Sequence, residues 1–291
     1  MHLNSLPLKW LLFILLCLTW GSSFILMKSG LEDLTPYQVA SIRIIFAGLA
    51  MLPITLKAFK NTPRKLITPL VVSGFLGSFF PAYFFCIAQT KIDSSLAGIL
   101  NALTPIFTVA IGSLFFKLTL SWVKWTGLIL GFIGMTILLI GGNQGINLTH
   151  LGFASFVIIA TVCYGLNVNL INAYLKEAEP IYIAGITFTA LIIPALAVLF
   201  STGYFSDPKL WSGTYTSGTI SAGVLGIMGT GVASVLFYML VKKAGPVFAS
   251  MVTYGIPFVA IAWGIVSGEV ITGIQAAGMA VILVGVRLAN K

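Results

Sequence analysis

Apolar runs recur along this chain from one end to the other, separated by short polar breaks. Each run is long enough to cross about 30 Å of hydrocarbon as a helix. We place ten spans, at roughly 8–28, 36–57, 66–89, 94–116, 122–141, 151–174, 180–200, 217–241, 246–267 and 272–289. The expected fold class is therefore an all-α polytopic membrane protein. The longest non-apolar stretch, Ser201 to Ser217, holds Asp207, Pro208 and Lys209, and no linker has room for a separate domain. The start, Lys9 followed by Trp10 to Trp20, has the outline of a signal peptide. The run continues to Met27 without a small-x-small cleavage site, so a first membrane helix is the better reading.

Composition agrees: 58% of residues are hydrophobic and 8% charged, against about a quarter charged in soluble domains. The net charge of +9 is then no signature of nucleic-acid binding. It follows the positive-inside rule. With the N-terminus in the cytoplasm, 12 of the 16 basic residues fall on the cytoplasmic side. Lys28, Lys91 and Lys209 fall outside, and Arg43 lies within a span. We expect a multi-pass protein of the cell inner membrane with both termini cytoplasmic. Cys17, Cys86 and Cys163 all fall inside spans and show neither disulfide nor metal-site spacing.

The chain repeats itself. Trp20-Gly21 in span 1 matches Tyr164-Gly165 in span 6, an offset of 144, and Thr35-Pro36-Tyr37 matches Glu179-Pro180-Ile181 at the same offset. Gly127 to Gly134 in span 5 echoes Gly278 to Gly285 in span 10. Five spans per half is an odd number, so the second half enters the membrane from the opposite side. We expect two inverted five-helix repeats, residues 1–146 and 147–291.

Two prolines stand inside spans at corresponding places, Pro105 in span 4 and Pro257 in span 9. Proline donates no backbone N–H, so the carbonyls of Asn101 and Thr253 lose their partners. Such groups in hydrocarbon must face protein, water or a ligand, and matched interruptions in two halves point to a transport site. Polar side chains gather nearby: Ser22, Ser23, Asn101, Thr104, Asn167, Asn169, Tyr238 and Thr253. Aromatic walls are expected from Trp20, Tyr83, Tyr164, Tyr238, Tyr254 and Trp263. Each polar group taken singly is as well explained by hydrogen bonding between helices. As a set they make a neutral, hydrogen-bonding cavity lined by Trp20, Ser22, Ser23, Tyr83, Asn101, Thr104, Asn167, Tyr238, Thr253 and Tyr254. Arg43 has three readings: a contact to an anionic group of the substrate, a gate ion pair with Glu32, Asp33 or Asp93, or a structural arginine that snorkels upward or caps carbonyls of a neighbouring helix.

With those residues laid out, the chain resembles the drug/metabolite transporter superfamily, in its ten-helix branch of two EamA-type domains. The resemblance rests on Trp20-Gly-Ser-Ser, Pro36-x6-Arg43, Leu103-Thr104-Pro105, Gly268-Glu269 and the two Gly-x6-Gly helices. It implies a pseudo-two-fold basket around a central cavity, opened alternately to each side. It implies that spans 3, 4, 8 and 9 line the cavity, that spans 1, 2, 6 and 7 rock around them, and that spans 5 and 10 are peripheral. Lys117 stands where the first domain usually carries an acid like Glu269, a departure from the family pattern.

No span carries Asp or Glu at its centre, His2 and His150 are terminal or loop residues, and no Walker loop is present. We therefore expect no cofactor, no metal, no ATP drive and no enzyme. The expected activity is secondary transport of small amphipathic metabolites such as amino acids, and the resemblance implies that it runs outward. The alternatives are import or facilitation of a sugar-like or phosphorylated metabolite, and a receptor or subunit without flux. The expected partners are a small-molecule substrate and the lipid bilayer, with no nucleic acid, and the protein is a monomer or homodimer.

The orientation is testable. In a cysteine-free background, Asn61→Cys and Lys243→Cys should react with an impermeant thiol reagent from the same face of the membrane. Modification from opposite faces would discard the inverted arrangement.

Overall fold

The structure is a computed structural model and describes residues 5–92, 94–140, 151–266 and 272–289. Every described span is helical, because only a helix satisfies its own backbone groups where no water reaches. Helix α1 (Ser5–Asp33) is span 1 and α2 (Pro36–Asn61) is span 2. Span 3 is divided into α3 (Ile67–Gly74), a π-helical stretch (Phe75–Phe79) and α4 (Phe80–Ala88). Span 4 is divided into α5 (Ser94–Asn101) and α6 (Thr104–Phe115). Spans 5, 6 and 7 are α7 (Trp122–Ile140), α8 (Leu151–Tyr174) and α9 (Pro180–Ser201). The short α10 (Pro208–Trp211) precedes span 8, which runs through α11 (Thr216–Val224), a second π-helical stretch (Leu225–Val232) and α12 (Ala233–Ser250). Helix α12 turns sharply into span 9 at Gly245 (φ 82°, ψ 169°), a conformation that only glycine adopts without strain. Helix α13 (Val252–Val266) completes span 9, and α14 (Gly273–Ala289) is span 10. The helices thus fall on the ten positions read from the hydropathy.

Local chemistry sets the ends. Thr35 and Gln38 close a capping box at the start of α2: Gln38 N donates to Thr35 Oγ1 at 3.3 Å and Thr35 N donates to Gln38 Oε1 at 2.9 Å. Pro36 sits in the first turn, where its missing donor costs nothing. In the connection before span 8, Asp207 Oδ2 accepts from Tyr215 Oη at 2.7 Å and Oδ1 accepts from Lys209 N at 2.9 Å. These bonds hold the Asp207 carboxyl below the usual carboxylate range. The Tyr204 and Tyr215 rings stack above them, 5.8 Å between centroids.

The helix contacts come in related pairs. Helix α2 packs along α9, and α7 along α14, so each of these spans meets its own counterpart. Span 1 packs against spans 8 and 9, and span 6 packs against spans 3 and 4. The detail repeats as well. A Cβ at Gly21 would stand 3.1 Å from Ile256 O, and one at Gly165 would stand 3.1 Å from Phe107 C. Gly165 follows Gly21 by 144 residues and Ile256 follows Phe107 by 149.

Glycine sets the closest of these approaches. On α7 and α14 the two backbones touch through Gly127, Gly131 and Gly134 on one side and Gly278 and Gly285 on the other. A Cβ at Gly127 would lie 2.7 Å from Gly285 O and 2.9 Å from Ala289 Cα. Small residues serve here as they do between membrane helices generally, by letting main chains approach.

Gly127→Leu should therefore push α7 from α14, cost about 1–3 kcal/mol by overpacking, and lower the melting midpoint of the detergent-purified protein. Gly152→Ala, where a new Cβ meets nothing within 4 Å, should leave it unchanged. Equal midpoints for the two variants would reject the backbone contact.

Candidate functional site

The irregular backbone of spans 3, 4, 8 and 9 meets at one place. Between the spans lies a cavity of about 950 Å³, its open mouth included.

The break in span 4 follows from proline. Helix α5 stops at Asn101 and α6 starts at Thr104, with Pro105 in its first turn. The carbonyl that Pro105 leaves without a donor is that of Asn101, and the Thr104 hydroxyl donates to it at 2.7 Å. In span 9 the same device stands elsewhere. Helix α12 ends at Ser250 and α13 starts at Val252, and the Thr253 hydroxyl donates to Ser250 O at 3.1 Å. Pro257 lies inside α13, which runs on around it. The interruption in span 9 is thus at Met251, ahead of the site that Pro257 alone suggests. A hydroxyl three residues downstream of the open carbonyl resolves both breaks, whether or not proline causes the opening. The structural partners are Asn101 with Ser250 and Thr104 with Thr253, 149 residues apart, where the prolines are 152 apart.

The two π-helical stretches are also counterparts. A π turn leaves backbone groups poorly aligned, and such turns concentrate at functional sites. Gly77 and Ser78 of the first and Gly229 and Thr230 of the second face the cavity. Each is tied down by a residue of another span or of its own. Trp20 Nε1 donates to Gly229 O at 2.9 Å, and Thr230 Oγ1 donates to Leu225 O at 3.2 Å. A Cβ at Gly77 would meet the Asn167 amide, whose Oδ1 accepts from Ser73 Oγ at 2.6 Å.

Of the residues picked from sequence, Trp20, Ser23, Asn101, Thr104, Asn167, Tyr238 and Thr253 lie on the cavity wall, and so does Arg43. Three others do not. Tyr83 is paired with Ser41 at 2.7 Å, between spans 3 and 2. Tyr254 is fully buried against Gly131, its hydroxyl donating to Leu128 O at 2.9 Å, so it anchors span 9 to span 5. Ser22 stands half-buried on α1 away from the lining. Each points off the cavity because its neighbours along the helix, and not its polarity, set its direction. Asn169 is likewise structural, its Nδ2 donating to Thr108 O at 2.8 Å and to Gly165 O at 2.8 Å. The Trp263 side chain and Glu269, Gly268, Asp93, His2 and His150 lie outside the described residues.

Sequence reading missed several wall residues: Phe24, Met27, Phe85, Thr230, Ser234, Phe237 and Ser250. Two of them complete a pattern. Trp20 packs on Phe237 with centroids 5.3 Å apart, and Tyr164 stacks on Phe85 at 6.1 Å. Trp20 and Tyr164 are counterparts, and Phe85 and Phe237 stand 152 residues apart, the offset of the prolines. That offset was the available signal. Spans 1, 2 and 6 contribute to the wall beside spans 3, 4, 8 and 9, with Trp20, Ser23 and Asn167 among the residues read from sequence.

Among the described residues, no group of His, Cys, Asp and Glu could hold a metal ion. The wall offers hydroxyls, amides, aromatic faces and one guanidinium, so it is suited to holding a solute.

Comparison with known proteins agrees with this geometry. A relative of Escherichia coli (strain K12), the "Uncharacterized inner membrane transporter YedA", is 26% identical over 97% of this chain and 90% of its own length. The "S-adenosylmethionine/S-adenosylhomocysteine transporter" of Chlamydia muridarum (strain MoPn / Nigg) is 25% identical over 89% of this chain and 83% of its own. A solved crystal structure superposes with a TM-score of 0.71 at 16% identity, covering 97% of this chain and 96% of that one, a likeness of fold. The model of the EamA-like transporter family matches residues 8–140 and again residues 152–291. With two such matches spanning nearly the whole sequence, this chain belongs to the EamA-like transporter family.

Proposed function

We propose that this protein is a secondary carrier of the inner membrane that moves a small amphipathic metabolite, such as an amino acid, outward by alternating access. The observation that carries the reading is the cavity itself, where both broken spans and both π stretches open onto one space walled by two matched aromatic pairs. Irregular backbone at membrane depth is tolerated where it lines a cavity, and it is the usual seat of solute binding in transporters. The aromatic pairs suit an apolar or flat body, and the hydroxyls and amides suit a polar end. A relative that carries S-adenosylmethionine, an amino-acid end joined to a flat base, is in keeping with that shape. The presence of one cation among the described wall residues speaks against phosphorylated cargo, which clusters of Arg and Lys usually recognise. The outward direction rests on the family resemblance, and the cytoplasmic placing of both termini on the loop charges.

Purified protein in liposomes should show saturable flux of at least one solute in a panel of amino acids, sugars and cationic compounds. Asn101→Leu and Thr253→Val should each cut that flux by roughly tenfold or more, by removing a wall contact or a carbonyl cap, while leaving membrane insertion intact. No flux over the whole panel would favour a subunit or receptor, and normal flux in both variants would discard the broken-helix site.

A further inference from the structure

Arg43 is the one charged side chain among the described residues that line the cavity. It is half-buried in α2. Its Nε donates to Thr230 Oγ1 at 2.5 Å, and the described residues give it no other hydrogen bond and no ion pair. Among the described residues no acid pairs with Arg43, and its one hydrogen bond ties span 2 to span 8. For a gate, Glu32 is exposed and the Asp33 carboxylate accepts from Gly218 N at 3.0 Å, while Asp93 lies outside the described residues. For a structural cap, the bond runs to a hydroxyl and to no helix carbonyl.

The bond to Thr230 has a consequence for what the guanidinium can hold. Thr230 spends its own hydrogen on Leu225 O at 3.2 Å, within the π stretch, and so presents Arg43 with an acceptor. With Nε committed, the side-on fork of the guanidinium is closed. The end-on pair of Nη groups is left, and that pair matches the two oxygens of a carboxylate. An arginine in a membrane interior is costly unless an anion or water meets it. A solute that arrives with its own carboxylate offsets that cost whenever it binds.

The cavity's symmetry breaks at this residue. The position corresponding to Arg43 is Thr187, fully buried, with its hydroxyl donating to Leu70 O at 3.1 Å between spans 7 and 3. The first half of the chain thus brings a guanidinium to the cavity wall where the second brings none, and the second brings the Asn167 amide where the first has Ser23.

We infer that Arg43 holds a carboxylate of the transported solute through its Nη groups, with Thr230 as its positioning residue, and that the substrates are monocarboxylates with an apolar or aromatic body. The inference rests on the carrier reading above and names the group that reading leaves open.

The test uses the full-length protein in liposomes and a panel of amino acids, each paired with its own carboxamide, so that members of a pair differ in one charge. Flux and apparent affinity are measured for both members. Wild type should prefer the acids by roughly tenfold to a hundredfold, the usual worth of a charge-assisted bond. Arg43→Gln should abolish the preference by weakening the acid and sparing the amide. Arg43→Lys should restore part of it, since it keeps the charge and loses the fork. Thr230→Val should cut the acid-to-amide ratio several-fold, over and above any loss both members share from the uncapped Leu225 carbonyl, an effect that general loosening of the fold would not give, and it serves if Arg43→Gln fails to fold. Equal handling of acid and amide by wild type, or equal loss of both in the variants, overturns the role of Arg43 and leaves the carrier standing. No flux of either member by wild type removes the carrier reading and this inference with it.

Discussion

Inside a bilayer, every backbone carbonyl that loses its helical partner must find another, and this structure is arranged around the places where that happens. Asn101 O is taken by the Thr104 hydroxyl, Ser250 O by Thr253, Leu225 O by Thr230, and Gly229 O by the indole of Trp20. All four lie at one cavity. Had the same irregularities faced lipid, each would have left a polar group in hydrocarbon at a cost of several kcal/mol. Gathering them at a central space turns that liability into a set of polar groups within reach of a solute.

The frame that holds this cavity open is made of close contacts elsewhere. Helices α7 and α14 press glycine against glycine, and α2 lies along α9, where the Thr55 hydroxyl meets Thr189 at 2.7 Å. Tyr254 links the frame to the broken span 9 through Leu128 O. These contacts bring main chains together, and α7 and α14 contribute no described residue to the cavity wall. Spans 3 and 8, by contrast, carry π stretches rich in glycine, whose hydrogen-bond ladders are already irregular and so cost less to rearrange. The alternating access proposed above would use such a division between a close-packed frame and irregular spans.

The two halves are alike in backbone and unlike in side chains. The aromatic pairs and hydroxyl-capped breaks recur in both, while Arg43 is answered by Thr187 and Ser23 by Asn167. Likeness of backbone gives the pseudo-two-fold, and unlike side chains break it, with a guanidinium from the first half of the chain and an amide from the second.

Much of this was legible before any coordinates. Twenty-residue apolar runs can only be spans, because unpaired backbone is excluded from hydrocarbon, and so the sequence determined the number of helices and their places. Pro105 determined its own break, since a missing N–H has a defined consequence four residues earlier. Tertiary structure alone decided the rest. Pro257 was absorbed into a continuous helix, because the chain had already turned at Gly245 and broken at Met251. Tyr83, Tyr254 and Asn169 were polar at the right depth yet turned to seal helix contacts, whereas Phe85 and Phe237, marked only by their shared offset, and Thr230 reached the wall. The reason is rotational: hydropathy along a chain reports how deep a residue lies, while the face it presents is set by which neighbouring helix packs against it.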